Sequence, residues 1–376
     1  MKRITILLIA LTLVASFASA QLAPITAKDA RSMAMGGAFD ALGSGYQSLY
    51  GNPAGFGVGR GMLTLANVST WLFVRPTSDN IAKFQALTQS GASTSDYIST
   101  ASDLITTNGI GVGAAAGLGF TGGGLGLGVT AVTEEYARGN TLLGTNFTSS
   151  TQVNAVVGLA ITLGPKDFNV KLGGDLRPFV RVEGGFPAFT LITALAGGSG
   201  DPGSVILGQS AKYGIGFAAD LGAIATIGSL SAGLSIRDIA PPFSYTPTTF
   251  GDAITGTVVS DANSMAQLTP DVTAGLGWSP RLIPGIIDPS IYVEAKNVLS
   301  LSEDQNVWNL LHAGGELRLL SFVFLRGGVS QGWLSVGAGV NLLILEVDGA
   351  LFTEEMGAHP GDQPRSGASV NVRLHF

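Results

Sequence analysis

Apolar residues of this chain alternate with small or polar ones at a period of two. Tyr213–Gly222 alternates in this way, and Leu230–Arg237 resumes the pattern after a break near Gly228. Because successive side chains of a β-strand point to opposite faces, both stretches predict strands, which together form a hairpin. The alternation recurs at Gln152–Thr162, Ile291–Lys296 and Leu334–Asn341. Along the whole chain it predicts about 14 strands.

One face of the predicted strands is aliphatic or aromatic, whereas the other is small or polar. The polar face carries scattered charges, namely Glu294, Lys296, Glu316, Arg318 and Arg373. A soluble sandwich would expose this face to water, and a membrane barrel would turn it towards the lumen. Only 12% of the 376 residues are charged, and the chain is too long for a simple sandwich, so the barrel is favoured. Since every strand needs a partner in lipid, we predict an all-β fold, a closed transmembrane antiparallel β-barrel.

The N-terminus has the three parts of a secretory signal peptide. Met1-Lys2-Arg3 is followed by the apolar run Ile4–Phe17 and then by Ala18-Ser19-Ala20. This order predicts a signal peptide over residues 1–20, cleaved after Ala20, with an uncleaved anchor as the alternative. Without its two basic residues the formal net charge changes from -6 to -8, which argues against a nucleic-acid partner. The chain has no cysteine, so no lipoprotein anchor or disulfide is expected.

The uncharged stretch Leu104–Thr133 resembles a transmembrane helix only in its hydropathy. It is rich in glycine, which disfavours a helix by about 1 kcal/mol per residue. We therefore predict two strands that turn at Gly122-Gly123-Gly124. The segment Gly111–Ala116 matches the dinucleotide-binding pattern of glycines, but no alternating strands and helices surround it, so nucleotide binding is not predicted.

Three stretches interrupt the strand pattern and predict long extracellular loops. They are Thr77–Asn108, Gly184–Ala211 and Ala240–Pro270. Apolar residues at helical spacing in the first stretch predict one or two loop helices. The second contains an apolar patch, which we interpret as a candidate ligand-capture loop formed by Phe186, Phe189 and Leu191. Packing of these side chains onto the barrel rim is the alternative.

Two neighbouring motifs near the N-terminus carry a family resemblance. Ala30–Phe39 reads ARSMAMGGAF, and Tyr50–Phe56 reads YGNPAGF. Together they resemble the FadL-type family of outer-membrane transporters for long-chain fatty acids and other hydrophobic compounds, and its PorV-type relatives. The resemblance implies a hatch inside a 14-stranded barrel, here over residues 21–60, with the barrel over 61–376. It also implies a hatch or gating motif formed by Asn52, Pro53, Ala54 and Gly55.

The motif also has a physical interpretation that does not depend on the family. Asn52 is able to bond neighbouring backbone groups, and Pro53 restricts both itself and Asn52. Such a segment fills a lumen without forming a strand. An ordinary turn before the first strand is the alternative.

The C-terminal region carries two further resemblances. Val370–Phe376 alternates up to a terminal Phe376, which is similar to the assembly signal of outer-membrane barrels and implies the barrel-assembly machinery as a partner. Glu354–Pro364 resembles a stretch of FadL-like proteins from spirochaetes and some other bacteria.

No catalytic or metal-binding constellation is evident. The three histidines, His312, His359 and His375, do not have the spacing of paired metal ligands, and no nucleophile-elbow motif is present. We therefore predict that the chain is not an enzyme and has no cofactor.

The predicted function is uptake of long-chain fatty acids or similar hydrophobic small molecules, by passive diffusion through a plugged barrel in the bacterial outer membrane. Outer-membrane lipid and the hydrophobic ligand are the expected partners. Candidate partners for a ligand carboxylate are Arg75, Arg177 and Arg181. The alternative is a non-transporting, PorV-type secretion subunit or a surface adhesin or antigen. A general porin is less favoured because its lumen would be wide and charged.

Overall fold

The computed structural model describes residues 20–88, 93–165, 167–197, 202–258, 263–300 and 306–376. The predicted signal peptide lies outside these residues except for Ala20. The rest forms one sheet with short helices in its connections.

The sheet closes into a 14-stranded antiparallel barrel, as the alternation predicts. Each barrel strand pairs with its neighbours in sequence, and the last strand pairs with the first to close the ring. The strands are β1 Ala20–Leu22, β2 Met62–Phe73, β3 Ile110–Gly122, β4 Leu125–Ala137, β5 Asn146–Leu163, β6 Phe168–Pro187, β7 Ser210–Ile227, β8 Leu230–Ile239, β9 Phe243–Thr249, β10 Ser264–Leu268, β11 Asp271–Trp278, β12 Ile287–Ala295, β13 Leu311–Leu319, β14 Val323–Ser330, β15 Trp333–Leu342, β16 Leu345–Glu355 and β17 Pro364–His375.

Three strands extend the wall rather than complete the ring. β9 continues the line of β8 and pairs with the far end of β7, and β10 pairs with β9. The short β1 adds a parallel strand to the other edge of β10. The prediction that Ala240–Pro270 is entirely loop is therefore wrong. Pro241, Pro242 and Pro270 have no backbone N–H to donate, and they stand where β8 passes into β9 and β10 into β11.

The barrel wall has unequal heights around its circumference. β5, β6 and β7 contain 18, 20 and 18 residues, whereas β12, β13, β14 and β15 contain 9, 9, 8 and 10. About 9–11 residues suffice to cross a bilayer at a tilt. The β5–β7 side therefore rises beyond the membrane at one end of the barrel.

That end also carries the long connections, which identifies it as the extracellular end. Its helices are α2 Ser78–Thr88, α3 Thr94–Thr107, α4 Ala188–Gly197, α5 Pro202–Leu207 and α6 Phe250–Thr255. The predicted loop helices in Thr77–Asn108 are thus present. Within the described residues, no helix combines the length and apolar character needed to cross a membrane.

The two faces of the wall differ as the alternation requires. On β2, Leu65, Val68 and Leu72 are exposed on the outside, whereas Asn67 and Ser69 are buried on the inside. The same holds for Ile215, Phe217 and Leu221 on the outer face of β7. Lipid would surround this apolar exterior, because an outward polar group in hydrocarbon has no partner.

We expect Leu221→Arg to lower the free energy of unfolding in lipid by about 2–4 kcal/mol, since Leu221 lies on the outer face of β7, within the roughly 9–11 residues next to its short-turn end that suffice to cross a bilayer. Urea titration in phospholipid vesicles measures this change. Ile254→Arg is the control because Ile254 is 74% exposed on α6, outside the membrane. An equal loss in both variants would contradict the assigned membrane level.

Candidate functional site: the plug and the lumen cavities

The N-terminal segment enters the barrel and lies against its inner face. We call Gln21–Lys28 the strap and Asp29–Gly61 the plug. The plug begins with helix α1, Ala30–Ala34, whose N-terminus is capped by the Asp29 carboxylate accepting hydrogen bonds from the backbone N–H groups of Arg31 and Ser32. Two 3-10 helices follow, at Gly45–Leu49 and Pro53–Gly57. That this segment serves as the hatch implied by the family resemblance stays a prediction.

Asn52 is the fully buried centre of the contact between plug and wall. Its side-chain amide donates to the carbonyl oxygen of Ala41 in the plug at 2.7 Å. It also donates to the wall, to the carbonyls of Ala223 at 3.2 Å and Leu234 at 3.1 Å. Its side-chain oxygen accepts from the N–H of Ala54 at 2.9 Å. Asn52 therefore holds the turn and attaches it to β7 and β8.

Wall glycines allow the plug backbone to approach this closely. A Cβ atom at Gly173 on β6 would overlap the carbonyl group of Pro53, and one at Gly222 on β7 would overlap the side chain of Asn52. The predicted gating motif thus lies in a groove that only glycine permits. Its role in gating stays a prediction.

Charged side chains fasten the other side of the plug and strap. Arg31 donates to Glu316 on β13 at 2.9 Å, and Lys28 donates to Glu354 on β16 at 2.7 Å. Lys296 pairs with Asp40. The Glu294 carboxylate accepts the backbone N–H groups of Asp40 and Ala41, each at 2.9 Å. These contacts of the plug are polar, whereas Met33, Leu49 and Phe56 pack in apolar clusters against the wall.

Burial controls the protonation of the plug's own titratable groups. It raises the pKa of Tyr46 to about 12, and it raises the pKa of Tyr50 well above its usual value. Both tyrosines are neutral at physiological pH, and their hydroxyls lie 3.3 Å apart. Burial lowers the pKa of the Arg31 guanidinium, but the charge and hydrogen bond of Glu316, with the charges of Tyr292 and Glu346, together outweigh burial and raise this pKa.

The described residues form two cavities between the plug and the extracellular loops. The first has a volume of about 330 Å³, and its lining includes Met33, Asp40, Tyr50, Asp271, Lys296 and His312. The second has a volume of about 450 Å³, and its lining includes Leu22, Glu134, Arg181, Glu183, Met356 and Arg365. Strap residues line both cavities. The strap therefore divides the upper lumen into two chambers of mixed polar and apolar character.

The candidate carboxylate partners occupy three different environments. Arg177 is buried on β6, where it pairs with Asp220 at 3.1 Å and also with Asp238. Arg181, also on β6, pairs with Glu183. It donates further to the carbonyl oxygen of Ala23 in the strap, at 2.7 Å. Arg75 is exposed in the loop after β2. The structure brings Arg181 to the second cavity and does not gather the three into one site.

The candidate capture residues belong to an apolar cluster beneath the extracellular helices. Phe186 is buried and stacks on Phe147 with 5.3 Å between ring centroids, and Phe250 packs against it. Leu191 on α4 is half-buried against this cluster. Phe189 remains 36% exposed. Phe186 thus supports the rim, whereas Phe189 is available on the surface.

The Glu354–Pro364 stretch is ordered by one carboxylate. Glu355 accepts the backbone N–H groups of Gly357, Gly361 and Gln363 at 2.9, 2.6 and 2.6 Å. It also accepts the indole N–H of Trp333 at 3.2 Å. The stretch is therefore a compact connection between β16 and β17. Among the described residues, no group of histidine and carboxylate side chains has an arrangement able to hold a metal ion.

Fold and site together define a plugged β-barrel of the outer-membrane class. Among solved structures, the chain is similar to the CymD monoaromatic hydrocarbon channel, with a TM-score of 0.52 and 12% identity, covering 92% of this chain and 96% of that one. It is also similar to the Pseudomonas putida toluene transporter TodX, with a TM-score of 0.46 and 11% identity, covering 94% and 98%. A Pseudomonas aeruginosa FadL homologue has a TM-score of 0.44 and 10% identity, also covering 94% and 98%.

No protein-family model and no curated protein sequence matches the chain. At these identities the structural likeness concerns the fold alone. The sequence-based expectation of a FadL-type barrel fold is confirmed at that level.

Proposed function

We propose that the protein takes up small hydrophobic molecules across the bacterial outer membrane by passive diffusion past the plug. The observation that carries this proposal is a lumen that is plugged yet retains two ligand-sized cavities on the extracellular side of the plug. Cavities of about 300–1,000 Å³ are typical of small-molecule sites.

Exposed apolar side chains on the extracellular helices provide a surface for capture. They are Phe189 and Leu195 on α4, Leu207 on α5 and Ile254 on α6. Each methylene group transferred from water to such a surface contributes about 0.8 kcal/mol. A chain of a few carbons would therefore concentrate at the mouth of the barrel before it enters a cavity.

The character of the plug interface supports release of the ligand past it. Arg31, Asp40 and Ala41 contact the wall through hydrogen bonds and ion pairs, so a small displacement of this part of the plug exposes groups that water is able to solvate. We propose that Asn52, Pro53, Ala54 and Gly55 form the part of the plug that stays attached to β6–β8 while the remainder shifts.

One similar structure agrees in chemistry with this proposal. CymD is a monoaromatic hydrocarbon channel. We propose a ligand of comparable hydrophobicity for this chain. Long-chain fatty acids, the ligand class expected from the sequence, belong to the same proposal.

The neutral fluorescent probe N-phenyl-1-naphthylamine tests the proposal with purified, refolded protein. We expect saturable binding in the micromolar range and about fivefold weaker binding by Phe189→Ser, which removes part of the capture surface. Leu299→Ser is the control because Leu299 is 65% exposed in a different loop. Absence of saturable binding by a folded barrel would overturn the proposal and direct the search to a protein partner.

A further inference from the structure

We infer that the two cavities prefer an uncharged ligand, so that a neutral hydrophobic compound binds more tightly than a carboxylate of equal chain length. This inference rests on the proposed function and specifies the ligand class. It follows from the pairing of the charged side chains that line the lumen.

The cations that border the cavities are already neutralised. Lys28 pairs with Glu354, and Lys296 pairs with Asp40. In the second cavity, Arg181 pairs with Glu183. Arg365 pairs there with Glu134 at 3.0 Å and with Glu354 at 2.6 Å. An incoming carboxylate would therefore find these cations bound to fixed carboxylates.

The pairs are also largely withdrawn from water. The side chains of Arg181 and Arg365 are only 2% and 4% exposed, and that of Lys28 is 13% exposed. Breaking such a pair leaves the displaced protein carboxylate buried without its partner, which costs more than a new pair returns. Exchange of one carboxylate for another is thus unfavourable here.

Carboxylates outside ion pairs also border the first cavity. Among the described residues, Asp271 and Glu355 line this cavity and form no ion pair within 4 Å. Glu355 is satisfied instead by backbone N–H groups. A ligand carboxylate that entered this cavity would lie near these two carboxylates after losing its hydration.

One lumen-facing lysine does not change this preference for a neutral ligand. Lys171 on β6 donates to Asn169 and lies beside Gly57, near the short-turn end of the barrel. It is on the other side of the plug from both cavities. A carboxylate would meet Lys171 only after it had passed them.

The deciding experiment compares 1-decanol with decanoate as competitors of N-phenyl-1-naphthylamine at pH 8. We expect decanol to displace the probe at a concentration at least tenfold lower than decanoate. Equal or stronger competition by decanoate would overturn the inference while leaving the proposed function intact. Failure of the probe itself to bind would overturn the proposed function, and with it the basis of this inference.

A gain of function provides a second, independent readout. Glu183→Gln preserves size and hydrogen bonding but leaves Arg181 without its carboxylate, so decanoate competition should improve about tenfold while decanol competition stays unchanged. Asp288→Asn is the matched control because it frees Arg318 at the short-turn end, away from the cavities. Unchanged decanoate competition by folded Glu183→Gln would overturn the inference. If this variant does not fold, Glu354→Gln replaces it, since Glu354 is the carboxylate that pairs with Lys28, which lines both cavities.

Discussion

Gly173→Val is expected to convert the plugged barrel into an open, ion-conducting pore. Valine at this position places carbon atoms where the Pro53 carbonyl now lies, so the plug cannot return to its groove. The substitution leaves the backbone pairing of β6 with β5 and β7 available, so the barrel wall should still form.

The expected size of the ion current follows from the number of strands in the barrel. A barrel of about 8 strands is filled by its own side chains, whereas 16–18 strands enclose an aqueous channel. With 14 strands, this barrel encloses a lumen that the plug is needed to fill. Planar-bilayer recordings should show single-channel currents at least tenfold above those of the parent protein.

Gly349→Val is the matched control for that measurement. Gly349 also lies in a wall strand, β16, but a Cβ atom there would meet no other group within 4 Å. We expect this variant to keep the low current of the parent. Low current from a folded Gly173→Val barrel would show that the plug tolerates displacement from β6 and that other contacts seal the lumen.

The barrel was predictable from the sequence because lipid imposes one rule on every strand. An outward side chain must be apolar, so β7 and the first part of β8, as far as Ile236, show the alternation, and their hairpin near Gly228 was predicted correctly. β9 and β10 were not predicted because they extend the wall beyond the lipid, where outward side chains need not be apolar. The prolines beside them are also typical of loops.

The ion pairs of the lumen were not predictable in the same way. Arg31 and Glu316 are 285 positions apart, and nothing in either local sequence indicates the other. The strand pattern correctly placed Glu316 and Arg373 on the inner face but presented them as scattered charges. The pairing register of β13–β17 is needed to show that Arg326 neutralises Glu316 and that Glu346 neutralises Arg373.

The plug was predictable only through the family resemblance. The physical interpretation of Asn52 as a turn residue is correct, since its side chain accepts from the N–H of Ala54. The same side chain also bonds the wall at Ala223 and Leu234, which turn chemistry alone does not indicate. A buried asparagine with more partners than a turn requires is the signal that distinguishes a plug from a pre-strand turn.

Asn52→Ala is therefore expected to loosen the plug without disrupting the barrel. The substitution leaves the N–H of Ala54 and the carbonyl of Ala41 without this partner, and each unsatisfied buried group costs about 1–3 kcal/mol. A loss of about 4 kcal/mol corresponds to roughly thousandfold faster hydrogen exchange of the plug amides, if these exchange by local opening.

Hydrogen exchange measured by mass spectrometry separates this local effect from a global one. Amides of Asp40–Val58 should exchange faster, whereas those of β13–β16 should keep their protection. Asn154→Ala is the control, because Asn154 is buried on the inner wall and bonds Thr130 and Gln152 rather than the plug. Equal protection of the plug in Asn52→Ala and in the parent would mean that the ion pairs of Arg31 and Lys28 suffice to seat it.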